Sequence, residues 1–197
     1  PASIEKLLVE GVSGRIELAL DWPAGAPHGI VYIGHPHPLY GGTFDNKVVA
    51  TIARTFAGLG WVAVRPNFRG VGGSGGEHDE GDGETEDFLH LIDVVPSLPA
   101  VQSKVSDQLP VALAGFSFGS FVAAKAAQTL AASNRPPRYV VLVGAAAAKW
   151  PMPNVMRDTL VIHGELDETI PLAHVLDWAR PQDLPIVVIP GADHFFH

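Results

Sequence analysis

The sequence predicts an α/β fold in which helices cover both faces of a largely parallel sheet. Two observations support this prediction. From residue 30 onward, short continuous apolar runs, typical of strands buried on both faces, alternate with segments of helical character. The loops that follow these runs are rich in glycine and proline. Because ligand sites in such sheets form at the carboxyl ends of strands, functional residues are expected in those loops.

The chain begins with two predicted strands, residues 4–9 and 15–20, which Gly11-Val12-Ser13-Gly14 joins as a hairpin. The second strand alternates apolar and less apolar residues, as expected for a half-exposed edge pair. Six further strands are predicted at residues 30–34, 61–64, 111–114, 139–143, 159–162 and 186–189.

Helices are predicted between these strands at residues 43–59, 84–95, 118–130 and 171–179. The first two carry their apolar residues on one face, and Thr43 is expected to cap the first. The acidic first turn of the second helix suits the positive end of its dipole. The third is rich in alanine for close packing on the sheet, and Pro171 opens the fourth.

The composition favours one globular domain, residues 1–197, because no linker or repeat marks a second one. The net charge of −8, from 21 acidic and 13 basic residues, disfavours nucleic acid or an anionic membrane surface as a partner. The lack of cysteine excludes disulfides, cysteine nucleophiles and thiolate metal sites. Residues 1–10 lack a signal-peptide pattern and no apolar run is long enough to span a bilayer, so the cytoplasm is the expected location.

The segment from Gly115 to Gly119 reads Gly-Phe-Ser-Phe-Gly and lies between a predicted strand and a predicted helix. This is the context of a nucleophile elbow, a turn so tight that side chains two residues from the serine would clash. The turn exposes Ser117 beside helix N–H groups, which suits a hydroxyl that attacks a carbonyl. A second Gly-x-Ser-x-Gly, at residues 72–76, has no helix after it and fails this test.

A serine hydroxyl needs a base to accept its proton, and a histidine base needs a carboxylate to fix its tautomer. The chain supplies candidates in the order Ser117, Asp167, His194, each in a loop that follows a predicted strand. Several residues remain as alternatives, namely Glu165 and Glu168 for the carboxylate, and His197, His163 and His174 for the histidine.

An oxyanion formed by such an attack needs two N–H donors. One is expected from Phe118, the residue after the serine, and the other from the loop after the strand at residues 30–34. Proline has no N–H, which removes Pro36 and Pro38 and leaves His37 as the first candidate. Leu39 and Tyr40 are the next candidates, and their bulky side chains are alternatively expected to line an acyl pocket.

Other motifs give weaker indications of a cofactor or metal. Residues 70–75 match a dinucleotide-binding fingerprint but continue as a loop rather than a helix. The acidic residues at 77–87 do not align with a calcium-binding loop, and no third ligand is evident beside His35 and His37. We therefore expect neither a cofactor nor a metal.

Several blocks resemble the small bacterial α/β-hydrolases, including dienelactone-hydrolase-like enzymes. They are Gly-Phe-Ser-Phe-Gly at 115–119, His-Pro-His-Pro-Leu-Tyr-Gly-Gly-Thr at 35–43, Asn-Lys-Val-Val at 46–49 and Asn-Phe-Arg-Gly-Val-Gly at 67–72. The match runs from about residue 30 to residue 197. The resemblance implies an α/β-hydrolase fold with an eight-stranded, mostly parallel sheet, and a Ser-Asp-His triad at Ser117, Asp167 and His194.

Two departures from that family accompany the resemblance. Its members continue past the histidine loop into a final helix, whereas this sequence ends three residues after His194. Either the sequence is a shortened piece, or the sheet face that this helix covers is exposed. An exposed apolar face is expected to bind a partner, and a second copy of the chain is a candidate. Larger relatives also insert a lid after the strand at residues 139–143, but only residues 144–158 precede the next strand here, which predicts an open, lidless site.

The sequence therefore predicts a serine hydrolase, similar to carboxylesterases, that cleaves small esters or thioesters through a covalent acyl-enzyme. A lidless site disfavours a lipase for long acyl chains. Two alternatives remain open: a peptidase or amidase that uses the same triad, and a non-catalytic α/β-hydrolase scaffold that binds a ligand or a protein.

Overall fold

Eight strands run through the residues that the computed structural model describes, 3–105 and 108–197. They are β1 (Ser3–Gly11), β2 (Gly14–Trp22), β3 (Gly29–Gly34), β4 (Trp61–Pro66), β5 (Val111–Phe116), β6 (Tyr139–Val143), β7 (Leu160–Gly164) and β8 (Ile186–Ile189). One sheet contains them all in the order β1-β2-β4-β3-β5-β6-β7-β8. β2 pairs antiparallel with β1 and β4, and the other pairs are parallel, so the predicted mostly parallel eight-stranded sheet is confirmed.

Five α-helices are described: α1 (Lys47–Gly58), α2 (Asp82–Val94), α3 (Pro99–Gln102), α4 (Phe118–Ala132) and α5 (Leu172–Ala179). No pattern in the sequence predicted α3, a single turn opened by a proline. Among the described residues, no helix has the length and apolar character needed to cross a membrane.

The predicted cap of the first helix is wrong. The cap is Asn46, whose side-chain oxygen accepts hydrogen bonds from the N–H groups of Val48 and Val49 at 2.9 and 3.3 Å. The hydroxyl of Thr43 instead accepts from the N–H of Asp45 in the turn before the helix. Both residue types are good caps, and the turn at residues 43–46 decides between them.

Alternate residues of the central strands pack against helices on opposite faces of the sheet. Val31 and Ile33 belong to a cluster with Val49 of α1, whereas Ile30 and Tyr32 belong to the cluster that includes residues of α2 and α4. This two-residue period is the one expected of a strand buried on both faces. The prediction of helices on both faces is therefore confirmed.

An apolar groove of about 650 Å³ opens between α1 and the strands β6 to β8. Val141, Leu160, Ile162 and Ile189 contribute to it from the sheet, and Leu160 and Ile189 are exposed.

Candidate active site

Ser117 lies between the end of β5 and the start of α4, in a turn with φ 56° and ψ −121°. A positive φ is unusual for a residue with a side chain, so the surrounding packing must hold the turn. A Cβ atom at Gly115 would lie 2.1 Å from the carbonyl oxygen of Gly119, and one at Gly119 would lie 2.1 Å from that of Gly34. The predicted strand–turn–helix context is present, and its glycines allow β3, β5 and α4 to approach closely.

The side chains of Ser117, His194 and Asp167 form a continuous chain of contacts. Nε2 of His194 is 3.1 Å from Oγ of Ser117, and Nδ1 of His194 is 2.7 Å from Oδ2 of Asp167. The other carboxylate oxygen of Asp167 accepts the N–H of Ile170 at 2.7 Å. Asp167 and His194 are buried, which strengthens the interaction between them.

The loops that carry Asp167 and His194 are joined through their main chains. The N–H of Leu166 donates to the carbonyl oxygen of Ala192 at 2.9 Å. A Cβ atom at Gly164 would lie 2.5 Å from the carbonyl oxygen of Asp193, so this close approach requires glycine. The ring of Phe116, at the end of β5, packs against the ring of His194 with their centroids 5.1 Å apart.

The alternative residues lie elsewhere or make other contacts. Glu165 accepts the N–H of Gly191, and Glu168 is exposed. His197 pairs with Asp193, and His174 is exposed on α5. His163, in contrast, is fully buried and lies 3.4 Å from Asp167, on the carboxylate oxygen that also faces His194.

Ser74, the serine of the second Gly-x-Ser-x-Gly, has a structural environment. Its hydroxyl donates to the carbonyl oxygen of Asn67 at 2.8 Å and accepts the N–H of Glu17 at 2.9 Å. The residue is buried. The hydroxyl thus acts both as donor and as acceptor in holding a loop against β2.

The loop after β3 places His37 beside the elbow, and the centroids of the His37 and Phe118 rings are 5.1 Å apart. The N–H of Leu39 donates to Nδ1 of His37 at 3.1 Å, and the N–H of Tyr40 donates to the carbonyl oxygen of His37 at 3.1 Å. The main-chain N–H groups of His37 and Phe118, in contrast, make no hydrogen bond within the described part of the chain.

His35 has a structural role that the sequence did not predict, since its spacing from His37 suggested only a metal ligand. It is fully buried, and Nδ1 lies 2.7 Å from the carbonyl oxygen of Pro36 while Nε2 accepts the N–H of Phe68 at 2.9 Å. Burial lowers the pKa of His35 to about 4, so the ring is neutral near pH 7 and carries its proton on Nδ1. The position of His35 directly after a buried apolar strand was the one feature of the sequence that indicated a buried side chain.

Ser120 is a second residue that sequence reasoning missed. Its hydroxyl donates to the carbonyl oxygen of Ser117 at 2.5 Å and accepts the N–H of Ala146 at 3.0 Å. The fully buried side chain therefore ties the elbow to the loop after β6. A Ser-x-x-Ser spacing within an elbow suggests such a local bond, but nothing in the sequence indicates Ala146 as the partner.

A cleft of about 550 Å³ opens beside Ser117 and His194. Besides His194, the aromatic rings in its wall belong to His37, Tyr40, Phe118, Trp150 and Phe195. Burial lowers the pKa of His37, with a smaller contribution from the nearby His78. A slightly larger cavity of about 640 Å³, lined by residues such as Pro23 and Arg54, includes none of the candidate site residues.

The wall of the cleft also includes Leu39, one of the two residues expected to line an acyl pocket, beside Tyr40. Both side chains are largely exposed, at 67% for Leu39 and 86% for Tyr40. Lys149 and Glu80 contribute one positive and one negative charge to the same lining. The cleft therefore offers a mostly apolar surface with few charged groups next to the Ser117 hydroxyl.

Two solved structures of α/β serine hydrolases resemble this chain in both sequence and fold. No protein-family model matches the chain. It is similar to an α/β serine hydrolase without a lid from Xanthomonas campestris, with 33% identity, a TM-score of 0.86 and coverage of 100% of this chain and 88% of that one. An α/β serine hydrolase homologue from Coxiella burnetii is 34% identical with a TM-score of 0.82, over 98% of this chain and 90% of that one. An uncharacterized protein of Rickettsia prowazekii is 30% identical over 97% of this chain and 82% of its own length.

Proposed function

The chain belongs to the α/β-hydrolase superfamily, and from this premise we propose that it is a serine hydrolase that cleaves small esters or thioesters through an acyl-enzyme. The observation that carries the proposal is the unbroken contact from the Ser117 hydroxyl through His194 to the carboxylate of Asp167. A hydroxyl, an imidazole and a buried carboxylate in this order are the parts that nucleophilic acyl transfer requires.

In the proposed reaction, Oγ of Ser117 attacks the substrate carbonyl while Nε2 of His194 accepts the hydroxyl proton. The carboxylate of Asp167 holds Nδ1–H of His194 and stabilises the imidazolium that forms. Nε2–H then donates its proton to the leaving alcohol or thiol, and the acyl-enzyme remains. A water molecule, which gives a proton to Nε2 of His194, then attacks the carbonyl of this ester. The bond between the acyl group and Oγ breaks, the carboxylic acid leaves, and Nε2–H returns a proton to Ser117.

We assign the two oxyanion donors to the main-chain N–H groups of Phe118 and His37. The N–H groups of Leu39 and Tyr40 already have acceptors, which favours His37 among the loop candidates. The carbonyl of Pro36 and the N–H of His37 belong to one planar trans peptide and point in opposite directions. The hydrogen bond from His35 to that carbonyl therefore fixes where the N–H of His37 points. Loss of one such donor costs about 10²- to 10³-fold in kcat in serine hydrolases.

The cleft supports small acyl groups as substrates. Its volume of about 550 Å³ is shared by the acyl and leaving groups, and the largely exposed Leu39 and Tyr40 leave its edge open to water. A long acyl chain would remain partly in water in such a cleft and would gain little from binding. The proposal includes an open site, in which residues 144–158, the segment where larger relatives insert a lid, do not cover the cleft.

Labelling with a fluorophosphonate probe, followed by peptide mass spectrometry, tests the proposal. We expect the probe on Ser117 and not on Ser74, which serves as an internal control because it lies in the same sequence motif. Ser117→Ala should abolish labelling and hydrolysis of p-nitrophenyl acetate, whereas Ser133→Ala, at an exposed helix end, should change neither. A wild-type protein that is neither labelled nor active would overturn the assignment.

A substrate panel separates the alternatives that share this site. Esters, thioesters and amides of matched acyl length, tested with Ser117→Ala as the background control, should show turnover that falls with acyl length and is weakest for amides. Amide turnover above ester turnover would identify a peptidase or amidase. Ligand binding without labelling would identify a non-catalytic scaffold.

A further inference from the structure

His163 lies against the carboxylate of Asp167, and no step of the proposed reaction uses it. The residue is on β7 and fully buried. Its Nε2 is 2.6 Å from the carbonyl oxygen of Ile170 and 3.4 Å from Oδ2 of Asp167. Because Nδ1 of His194 is 2.7 Å from the same Oδ2, this carboxylate oxygen contacts two imidazole rings.

The surroundings of His163 determine which nitrogen carries its proton. Both nearby acceptors, the carbonyl of Ile170 and the carboxylate of Asp167, lie beside Nε2. Nδ1 is buried and has no hydrogen-bond partner within the described part of the chain. An unprotonated Nε2 would place its lone pair against two oxygen acceptors, so this pattern assigns the proton to Nε2.

Ile170 connects His163 to the other oxygen of Asp167. Its carbonyl accepts Nε2–H of His163, and its N–H donates to Oδ1 of Asp167 at 2.7 Å. The N–H of Asp167 in turn donates to the carbonyl of Gly164 at 3.3 Å, at the end of β7. Hydrogen bonds thus hold the loop that carries the carboxylate to the end of β7, and His163 supplies one of its two side-chain bonds while Asp167 supplies the other.

We propose that His163 is a positioning residue that helps to fix the carboxylate of Asp167 towards His194. Its hydrogen bond to the Ile170 carbonyl holds the residue whose N–H binds Oδ1, and its Nε2–H lies 3.4 Å from Oδ2 as a longer electrostatic contact. The inference rests on the proposed function and specifies it further. A carboxylate held at both oxygens keeps one orientation, which in turn keeps His194 in line with Ser117. Without His163, the carboxylate is expected to sample other orientations, and the fraction of molecules ready to react falls.

Two substitutions of similar size test this role: His163→Met removes the N–H donor, and His163→Gln retains one at the end of the side chain. Each is made in the wild-type protein and in an Asp167→Asn background. The readouts are kcat and KM for p-nitrophenyl acetate, the second-order rate of fluorophosphonate labelling of Ser117, and the thermal midpoint. For His163→Met we expect about a tenfold loss in kcat and in labelling rate, the effect of one hydrogen bond, with little change in KM.

His163→Gln should recover most of that loss, and neither substitution should lower the activity of the Asp167→Asn protein further. Equal kcat for the wild-type protein, His163→Met and His163→Gln would overturn the proposal. An equal loss in both backgrounds would also overturn it, because His163 would then act independently of the carboxylate.

A measurement on the unmodified protein covers the case in which His163→Met does not fold. Two-bond ¹H–¹⁵N spectra of the imidazole should show the Nε2–H tautomer for His163, and a change in its signals in Asp167→Asn. An Nδ1–H tautomer would contradict the contact and the proposal. A wild-type protein without labelling or turnover would contradict the proposed function instead, and the spectra would still report the contact.

Discussion

The main-chain N–H of Phe68 donates to Nε2 of His35 over 2.9 Å, so the loop after β4 holds the loop after β3. The same ring donates from Nδ1 to the carbonyl oxygen of Pro36 at 2.7 Å and lies 4.4 Å from the ring of Phe68. One buried imidazole therefore spans two loops at the carboxyl ends of neighbouring strands. Its two hydrogen bonds orient the peptide group that presents the N–H of His37.

Replacing His35 with phenylalanine keeps a ring of similar shape and removes both hydrogen bonds. We expect kcat for p-nitrophenyl acetate to fall by about tenfold to 100-fold, because the peptide before His37 loses its anchor. KM should change little, since the lining of the cleft is kept. His174→Phe, at an exposed histidine of α5, is the matched control and should retain wild-type kinetics. Unchanged kcat in a folded His35→Phe protein would show that the peptide orientation does not depend on His35.

Protonation of His35 should contribute to acid unfolding. Burial lowers its pKa from 6.5 to about 4, so the unfolded chain binds more protons than the folded one between these pH values. The stability that the protein gains by keeping His35 neutral is complete above pH 6.5 and is lost as the pH falls towards 4. For a shift of this size, the lost free energy of unfolding is about 3 kcal/mol. Urea unfolding of wild type and His35→Phe at several pH values measures it. The difference in unfolding free energy should shrink by about that amount as the pH falls from 7 to 4, and a pH-independent difference would contradict the prediction.

Gly42 provides the space for the Pro36 carbonyl. A Cβ atom at Gly42 would lie 2.0 Å from that oxygen, so Gly42→Ala must displace the peptide that His35 orients. We expect at least about a tenfold loss in the rate of fluorophosphonate labelling, by the same donor argument. Gly25→Ala, where a Cβ atom meets nothing within 4 Å, is the control for the effect of adding a methyl group to a loop. Equal labelling rates for Gly42→Ala and Gly25→Ala would refute this role.

The buried ion pair between Arg65 and Asp21 should be important for stability rather than for the chemistry. Nε of Arg65 is 2.7 Å from Oδ1 of Asp21, and both side chains are almost fully buried. Asp21→Asn leaves a buried guanidinium without its full partner, which costs about 3–5 kcal/mol in such pairs. Asp177→Asn breaks an exposed pair with Arg180 and should cost less than about 1 kcal/mol. Urea midpoints measure both, and equal midpoints for the two variants would contradict the distinction.

Much of the fold followed from local patterns in the sequence. The eight strands and the longer helices could be predicted because buried strands are continuous apolar runs and amphipathic helices repeat every 3.6 residues. The elbow could be predicted because a tight turn with close packing requires glycine at Gly115 and Gly119. The choice between Thr43 and Asn46 as a helix cap could not be made, because both are suitable caps and the fold of the preceding turn selects one.

For the candidate site, the sequence supplied the residue types and their order, Ser117, Asp167 and His194, and it excluded a thiolate chemistry outright. The tertiary structure alone brought Ser117 and His194, 77 residues apart in the chain, to within 3.1 Å. It alone also placed His35 against Phe68 and His163 against Asp167. The physical reason is that turn geometry and periodicity are properties of neighbouring residues, whereas contacts between distant loops depend on the order of the strands in the sheet.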